Sequence, residues 1–116
     1  MRFKQEFTFE QRREESTRVL NKYPDRVPII CEKSRIASND CPDIDKKKYL
    51  VPRNLNIGQF LYIIRNRLRI APEKALFLFV GNSIATSASS INEIYYSHKD
   101  IDRFLYITYS FENVFG

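Results

Sequence analysis

The sequence predicts an α+β fold in which one helix packs across a small sheet. Residues 76–80 and 104–109 are apolar, as strands covered on both faces of a sheet require. Residues 57–68 repeat apolar side chains at helical spacing. The 116 residues, of which 43% are hydrophobic, are enough for one core but not for two. We therefore expect one domain that covers the whole chain.

Residues 1–26 are polar and compatible with helix. Gln11 stands three residues after Thr8, which is the spacing of a capping box and predicts that a helix begins there. Pro24 ends this helix. The apolar stripe of the segment is thin, so we expect the helix to lie on the outside of the domain. The stripe consists of Val19, Leu20 and Tyr23.

Two short strands are predicted next, at residues 27–32 and 49–52, separated by turn-forming residues at 34–43. Each strand contains a proline, Pro28 in the first and Pro52 in the second. Because proline cannot donate a hydrogen bond to a neighbouring strand, it is typical of edge positions. We therefore expect this pair of strands to form a sheet edge that is partly open.

The second half of the chain alternates helices and strands. Asn56 predicts the N-cap of a helix, which is followed by a strand at 76–80, a loop at 83–90, one or two helical turns at 91–95 and a strand at 104–109. The apolar face of the helix is formed by Ile57, Phe60, Leu61, Ile64 and Leu68. Two strands, a helix and two further strands are the pattern of a β-grasp sheet, although other small α+β sheets share it.

This pattern divides the domain into a helical extension at 1–26, a β-grasp core at 27–110 and a flexible tail at 111–116. The tail ends on Gly116. Because glycine has no Cβ, its carboxylate can enter a narrow catalytic cleft, as the substrate of an activating enzyme must. A frayed end that happens to finish on glycine is the alternative, and the tail alone leaves both open.

The composition argues against several classes of protein. No apolar run approaches the ~20 residues that span a bilayer, and residues 1–6 lack the apolar core of a signal peptide. Cys31 and Cys41 are too few for a disulfide framework, which favours a reducing, cytosolic compartment. The net charge of +5 is uneven, because residues 1–75 carry 17 Lys/Arg against 10 Asp/Glu. Acidic peptides, anionic lipid and nucleic acid are the candidate partners of such a surface.

Residues that could carry out chemistry are sparse, and the sequence predicts no enzyme. His98 is the single histidine, and neither Cys31 nor Cys41 stands in the sequence context of a nucleophile. One histidine and two separated cysteines cannot supply the usual four ligands of a zinc site. The isolated Gly58 and Gly81 form no phosphate-binding loop. We therefore expect no catalytic site, metal or cofactor.

The most informative segment is 43–52, where three consecutive lysines meet apolar residues. Strand alternation predicts two faces: Lys46, Lys48 and Leu50 on one, and Lys47, Tyr49 and Val51 on the other. An edge strand of this kind can accept an added peptide strand, because its backbone supplies hydrogen bonds, its apolar side chains form pockets and its lysines favour acidic flanks. The alternative is an edge that lysines guard against aggregation. The pattern alone leaves both interpretations open.

Five segments of the chain form an ordered set of motifs: 26–33 (RVPIICEK), 44–52 (IDKKKYLVP), 57–60 (IGQF), 72–80 (PEKALFLFV) and 104–110 (FLYITYS). In this order they resemble the ubiquitin-like autophagy modifiers of the GABARAP and light-chain-3 type. The resemblance runs from about residue 9 to residue 116.

The resemblance implies a ubiquitin-like β-grasp fold with two additional N-terminal helices. It also implies a function, since members are joined through a C-terminal glycine to phosphatidylethanolamine on autophagic membranes. There they bind cargo receptors and autophagy proteins that carry a short aromatic-x-x-aliphatic motif. E1-like activating enzymes, E2-like conjugating enzymes and a processing or deconjugating cysteine protease are the other implied partners. The implied localisation is the cytoplasm and, after attachment of the lipid, the autophagosome membrane.

The resemblance also implies a role for particular residues. Gly116 is the lipid-conjugation site. The aromatic residue of the motif would occupy a pocket, the aromatic pocket, lined by Glu15, Val19, Pro28, Ile30, Lys48, Leu50 and Phe104. Its aliphatic residue would occupy a second pocket, the aliphatic pocket, lined by Tyr49, Val51, Pro52, Leu55, Phe60 and Ile63. Acidic flanks would meet Arg26, Lys46 and Arg67, and a second surface related to conjugation would include Phe77 and Phe79.

The chain departs from the family pattern at several places, two of which bear on the loop after the first strand and on the tail. The loop 34–41 looks longer than in close relatives, and Phe111 stands where a small or acidic residue is more usual. Two rival functions remain: a peptide-binding trafficking adaptor of the same fold that is never lipidated, and a nucleic-acid-binding domain that uses the basic residues of 46–48 and 65–69. The chain contains no RNA-binding motif such as a GXXG loop, so we expect no nucleic-acid partner.

Overall fold

The computed structural model describes residues 1–113, which contain four helices and five strands. The helices are α1 (Arg2–Glu6), α2 (Phe9–Lys22), α3 (Ile57–Leu68) and α4 (Ile91–His98). The strands are β1 (Arg26–Lys33), β2 (Lys48–Pro52), β3 (Phe77–Val80), β4 (Ser83–Ile84) and β5 (Leu105–Ser110). The predicted α+β class and order of elements are confirmed, with β4 as an additional short strand.

The strands form one mixed sheet in the order β2–β1–β5–β3–β4. β1 runs antiparallel to β2 and parallel to β5, while β3 runs antiparallel to both β5 and β4. β5 lies at the centre of the sheet, and β2 forms one of its edges. The predicted edge is therefore present, but β2 alone provides it.

β1 is an interior strand, so the edge position predicted for Pro28 is wrong. The amide of Cys31 donates towards β2, whereas the amide of Ser34, just after β1, donates to Tyr109 on β5. Backbone groups of even-numbered β1 residues therefore face β5. Pairing with β5 begins only at Ile29, so the nitrogen of Pro28 faces a stretch where that ladder has not yet begun. An interior strand can hold a proline there because no ladder hydrogen bond is lost.

Both predicted helix starts are closed by capping boxes. The amide of Gln11 donates to the Thr8 hydroxyl at 3.1 Å, and the amide of Thr8 donates back to the Gln11 side chain. At the start of α3, Asn56 and Gln59 exchange the same two bonds at 2.8 and 2.9 Å. Each box satisfies two backbone amides that a helix start leaves without partners.

Helix α3 packs across one face of the sheet and forms the main core. Ile57, Phe60 and Ile64 are its buried residues. Ile29 of β1 belongs to the same buried cluster, and Tyr49 of β2 stacks edge-on against Phe60, with ring centroids 5.6 Å apart. α3 therefore holds β1 and β2 in place from one side.

Helices α1 and α2 lie on the opposite face. Phe3 of α1 packs against Ile30 and Phe104, with the two phenyl centroids 5.3 Å apart. Ser16 is the one fully buried residue of α2. The predicted position of α2 on the outside of the domain is confirmed.

A buried polar network attaches α2 to the start of β5. Nη1 of Arg12 lies 2.6 Å from Oδ2 of Asp102, which is fully buried. The Tyr106 hydroxyl donates to the same carboxylate, and the Phe104 amide donates to its other oxygen at 2.9 Å. Burial, together with the hydrogen bond to Asp102, raises the pKa of Tyr106. Ser16 completes the network by donating to the Asp102 carbonyl.

Part of the region predicted as a loop after β3 is a tight hairpin. Val80 pairs with Ser83 across the two residues 81–82. Gly81 has φ of 62°, a left-handed conformation that glycine adopts without the strain of a side chain. The small-residue loop continues beyond β4.

Candidate peptide-binding edge

The outer edge of β2 carries backbone groups that face away from the sheet. Within residues 1–113, β2 has a strand partner on one side only. The Lys47 carbonyl accepts a hydrogen bond from the Cys31 amide at 2.8 Å, so odd-numbered residues of this segment turn their backbone groups towards β1. The amides and carbonyls of Lys48 and Leu50 consequently face outwards. An added peptide strand requires such groups.

The side chains of β2 alternate between the two faces of the sheet. Tyr49 and Val51 are buried in the core beneath α3. Lys48 and Leu50 are directed to the other face, where Nζ of Lys48 lies 2.9 Å from the carboxylate of Glu15 on α2. These four residues follow the predicted alternation.

The alternation predicted for Lys46 and Lys47 is wrong. Nζ of Lys46 lies 5.2 Å from the ring centroid of Tyr49, so Lys46 is on the α3 side. Nζ of Lys47 lies 3.5 Å from the Glu32 carboxylate and 3.7 Å from that of Glu6, on the α1 side. A side-chain period of two requires continuous strand, and β2 begins only at residue 48.

The α2 side of the predicted aromatic pocket is accessible. Glu15 and Val19 are half-buried and lie one turn apart on the same face of α2. Leu50 is also half-buried, and Lys48 is exposed. The ion pair between Glu15 and Lys48 joins the helix to the strand across this opening.

The floor of the aromatic pocket is formed by buried residues. Pro28 is buried and lies opposite Leu50 in the sheet. Ile30 and Phe104 are buried with Phe3, and the Phe3 side chain is only 3% exposed. Phe3 therefore covers the Ile30 and Phe104 end of the pocket, while Leu50 lies at the other.

Phe3 is a residue of this site that the sequence interpretation missed. Nζ of Lys48 lies 5.9 Å from the ring centroids of both Phe3 and Phe7. The signal was present, since two phenylalanines four residues apart in a polar segment lie on one face of a helix. Their site on the sheet could not be read from that spacing, because it depends on contacts with residues about 30 and 100 positions away.

The residues predicted for the aliphatic pocket lie between β2 and α3. Three of them are buried core residues: Tyr49, Val51 and Phe60. Three are half-buried at the surface: Pro52, Leu55 and Ile63. Leu55 and Ile63 pack against the core cluster, so the structure brings this set together around the α3 side of the edge.

The cations predicted to meet acidic flanks already have partners within the chain. Arg67 binds Asp45 through two hydrogen bonds of 2.8 and 3.1 Å, and the hydrogen bond from Arg67 lowers the pKa of Asp45. Arg26 donates from Nη1 to the Leu50 carbonyl at 3.1 Å, on the outer edge of β2. Lys46 stacks on Tyr49, as described above. An acidic peptide therefore competes with internal acceptors for these side chains.

The remaining predicted site residues are only partly described. Phe77 is half-buried, whereas Phe79 is 1% exposed, so Phe77 is the member of this pair with appreciable side-chain surface. Gly116 lies outside the described residues 1–113.

The cysteines are poorly suited to nucleophilic chemistry. Cys31 and Cys41 are both buried, and burial raises the pKa of each thiol. Among residues 1–113, no cluster of three or more His, Cys, Asp or Glu side chains is placed to bind a metal ion. No helix in that range combines the length and the apolar character that crossing a membrane requires.

Two concavities of the surface contain no residue of β2, although Lys47, directly before β2, lines the second. One, of about 880 Å³, is an open depression along the outer face of α2 that includes Phe9 and Arg13. The other, of about 450 Å³, lies between Arg2 and the loop after β1 and includes Glu32. Strand addition does not need an enclosed cavity, since it uses backbone hydrogen bonds and partly open pockets.

Comparisons with known proteins agree with this architecture. Residues 11–116 match the family described as "Autophagy protein Atg8 ubiquitin like". The chain is 54% identical over 114 residues to Autophagy-related protein 8 of Mycosarcoma maydis, covering 98% of this chain and 95% of that protein. The chain belongs to the Atg8 family. Its identity to Autophagy-related protein 8 of Schizosaccharomyces pombe is 53%, over 98% of this chain and 93% of the other.

A solved structure of the Atg8 family shows the same fold. The crystal structure of Trypanosoma brucei ATG8 superposes with a TM-score of 0.90 at 38% sequence identity, covering 95% of this chain and 93% of that one. The predicted ubiquitin-like fold is confirmed. The predicted family is confirmed as well, and this chain is a ubiquitin-like modifier of autophagy.

Proposed function

We propose that this chain is joined through Gly116 to phosphatidylethanolamine on autophagic membranes and that it binds aromatic-x-x-aliphatic motifs at the outer edge of β2. It has no enzymatic activity of its own. Its partners are cargo receptors and autophagy proteins that carry the motif. E1-like activating and E2-like conjugating enzymes attach it, and a cysteine protease processes or releases it. It is cytoplasmic before conjugation and lies on the autophagosome membrane afterwards.

The observation that carries the peptide-binding part is the opposite orientation of the two pockets around one open edge. Residues three apart in an extended peptide point to opposite faces, since side chains alternate with a period of two. Leu50 is on the α2 face of the sheet, and Leu55 and Ile63 are on the α3 face. An aromatic residue and an aliphatic residue three positions later can therefore enter both pockets while the peptide backbone pairs with β2.

Lipid attachment supplies the membrane affinity. Each buried methylene contributes roughly 0.8 kcal/mol, and two acyl chains are about what stable anchoring requires. Many copies on one membrane then convert weak peptide contacts into avid binding of a cargo receptor that carries several motifs. This avidity explains how an edge that binds single motifs weakly can retain cargo.

Leu50→Ala is expected to weaken binding of an aromatic-x-x-Leu peptide by about 1–2 kcal/mol, which is roughly five- to thirtyfold in Kd. The reason is loss of apolar surface from the aromatic pocket at a half-buried position. Tyr49 is less suitable for this test, because its ring packs on Phe60 in the core and its truncation disturbs the fold. Isothermal titration with a ten-residue peptide measures the effect.

Ile84→Ala is the matched control for this titration. Ile84 is 40% exposed on β4, the edge strand at the other side of the sheet. Its truncation should leave peptide affinity unchanged. The peptide would have to bind elsewhere if the two variants lost equal affinity. The same would follow if Leu50→Ala, with an intact circular dichroism spectrum, lost none.

Glu15→Gln is expected to strengthen binding of a peptide with acidic flanks. In the free chain the Glu15 carboxylate holds Lys48 at 2.9 Å, and removing its charge releases that lysine for the peptide. Exposed ion pairs of this kind contribute about 0.2–1 kcal/mol, so Kd is expected to fall by up to roughly fivefold at low salt. Lys48→Met should produce a loss of similar size.

Salt and a neighbouring carboxylate provide the controls for this charge effect. The changes in peptide affinity caused by Glu15→Gln and by Lys48→Met should both shrink towards zero at high ionic strength, where exposed charges are screened. Glu14→Gln, one residue away and exposed on the outer face of α2, should have little effect. The proposed competition between Glu15 and the peptide for Lys48 would be contradicted if the affinity gained by Glu15→Gln persisted in high salt. It would also be contradicted if a neutral-flanked peptide gained as much affinity.

A further inference from the structure

The first residue of the C-terminal tail packs against the body of the domain. Phe111 follows the end of β5, is half-buried and contacts the main core cluster. Nζ of Lys74 lies 4.5 Å from the centroid of its ring. A lysine ammonium over an aromatic face is attracted by the negative charge of the ring. The chain therefore does not become free directly after β5.

The loop after β1 holds the same residue from another side. Cys41 is buried in the same core cluster against which Phe111 packs, and burial raises the pKa of its thiol. The Tyr109 hydroxyl donates to the Pro42 carbonyl at 2.6 Å, which fixes the loop against the end of β5. Lys74 also lies 3.7 Å from the carboxylate of Asp40 in this loop.

These contacts converge from three separate segments at one point. Asp40 and Cys41 come from the loop after β1, Lys74 from the segment before β3, and Phe111 from the residue after β5. The side chains of Lys74 and Asp40 are 45% and 66% exposed, so they contribute little to the core. The amide of Glu112 then donates to the Ser110 hydroxyl at 3.2 Å, which turns the chain at the base of the tail.

We propose that Phe111, Lys74, Asp40 and Cys41 form a clasp that sets the direction in which the tail leaves the domain, and that this positions Gly116 for activation. The proposal rests on the proposed function, in which the Gly116 carboxylate attacks the α-phosphorus of ATP and pyrophosphate leaves. The clasp does not touch the reacting atoms. It restricts the tail before the activating enzyme binds it, so less conformational entropy is lost on binding. Phe111 and Lys74 are therefore positioning residues.

The clasp can be tested without any enzyme. Backbone ¹⁵N relaxation of the full chain should show lower order parameters at the amides of Glu112 and Asn113 in Phe111→Ala and in Lys74→Ala than in the unmodified chain. Phe111→Tyr, which keeps the ring, should restore the original values. Lys99→Ala is the matched control, since Lys99 also lies over aromatic rings, those of Tyr95 and Tyr96 on α4. Unchanged order at Glu112 in both test variants would overturn the clasp.

Its role in activation is tested by ATP–pyrophosphate exchange with the activating enzyme of a fungal relative. Phe111→Ala and Lys74→Ala should each raise KM for the chain about three- to tenfold and leave kcat unchanged, because only binding of the tail is affected. Phe111→Tyr and Lys99→Ala should match the unmodified chain. High salt should raise KM of the unmodified chain and narrow its difference from Lys74→Ala.

The two proposals fail in different ways. An unmodified chain that supports no exchange would contradict the proposed function, and the relaxation data would still decide whether the clasp exists. If the unmodified chain is activated and the variants have the same or a lower KM, the positioning role is wrong. A fall in kcat with unchanged KM would also overturn it. Lys74→Ala keeps the test valid if Phe111→Ala lowers the stability of the fold.

Discussion

Deletion of Gly116 is expected to abolish lipid conjugation and to leave the fold and peptide binding unchanged. Without Gly116 the chain ends on Phe115, whose side chain cannot follow a glycine into a narrow catalytic cleft. Five residues, 112–116, follow Phe111, and five residues span at most roughly 17 Å at ~3.3 Å each, which is the reach available to the terminal carboxylate for entering a recessed site. The lipidated fraction in cells, measured by gel shift and mass spectrometry of membranes, checks the result.

Substitution at Gly116 provides a graded version of the same test. Gly116→Ala should slow conjugation by roughly 10²-fold, because a methyl group displaces the carboxylate from the reacting geometry by about an ångström. Asn113→Ala, a change in the same tail that keeps the terminal glycine, is the control and should be conjugated normally. An unmodified C-terminus on the membrane-bound wild-type chain would identify the protein as a binding module that is never lipidated.

Asp102→Ala is expected to lower the free energy of unfolding by about 3–5 kcal/mol, as removal of one partner from a buried ion pair usually does. Asp102 is fully buried, and its loss removes the carboxylate that pairs with Nη1 of Arg12 and accepts from the amide of Phe104. Urea unfolding followed by circular dichroism measures the change. Because the network attaches α2 to β5, peptide affinity should fall as well.

The matched control is Asp45→Ala, which breaks an arginine–carboxylate pair at the surface. The side chains of Arg67 and Asp45 are 46% and 72% exposed, so solvent screens their attraction and the loss of stability should be much smaller than that of Asp102→Ala. Replacing Arg12 and Asp102 together by leucine should destabilise the chain less than Asp102→Ala does, since no buried charge is left unpaired. If Asp102→Ala and Asp45→Ala lowered the free energy of unfolding by similar amounts, the buried network would not be what holds α2.

Helix starts and the alternation of β2 could be predicted because they depend on neighbouring residues. Thr8 and Gln11 form their capping box within one turn, whatever surrounds the helix. The same holds for Asn56 and the apolar repeat of α3. The position of Pro28 could not be predicted in this way, because a proline in an interior strand is tolerated only where the partner strand has not begun. That depends on the register with β5, more than 70 residues further along the chain.

The same distinction, between features set by neighbouring residues and features set by distant contacts, applies to the candidate site. Its open edge and its lysines follow from the pattern of residues 46–52, and the pocket residues follow from the family resemblance. The orientation of Lys46 and Lys47 does not follow from it, since the strand begins at residue 48, two residues later than the alternation assumed. Phe3 over the aromatic pocket, and the internal partners Glu15 and Asp45, also depend on segments that meet only in the folded chain.

Local chemistry along the chain thus dictates which segments are helices or strands, and its motifs dictate the family to which the chain belongs. Contacts between distant segments dictate the rest: which strand is the edge, which internal partners the cations of the site have, how α2 is attached through Asp102, and how Phe111 packs at the base of the tail. Hydrogen bonding and side-chain periodicity act over a few residues, so a pattern can reveal them. Burial and ion pairing join residues as far apart in the chain as Arg12 and Asp102. Local sequence patterns span only a few residues, so they cannot reveal such a pair.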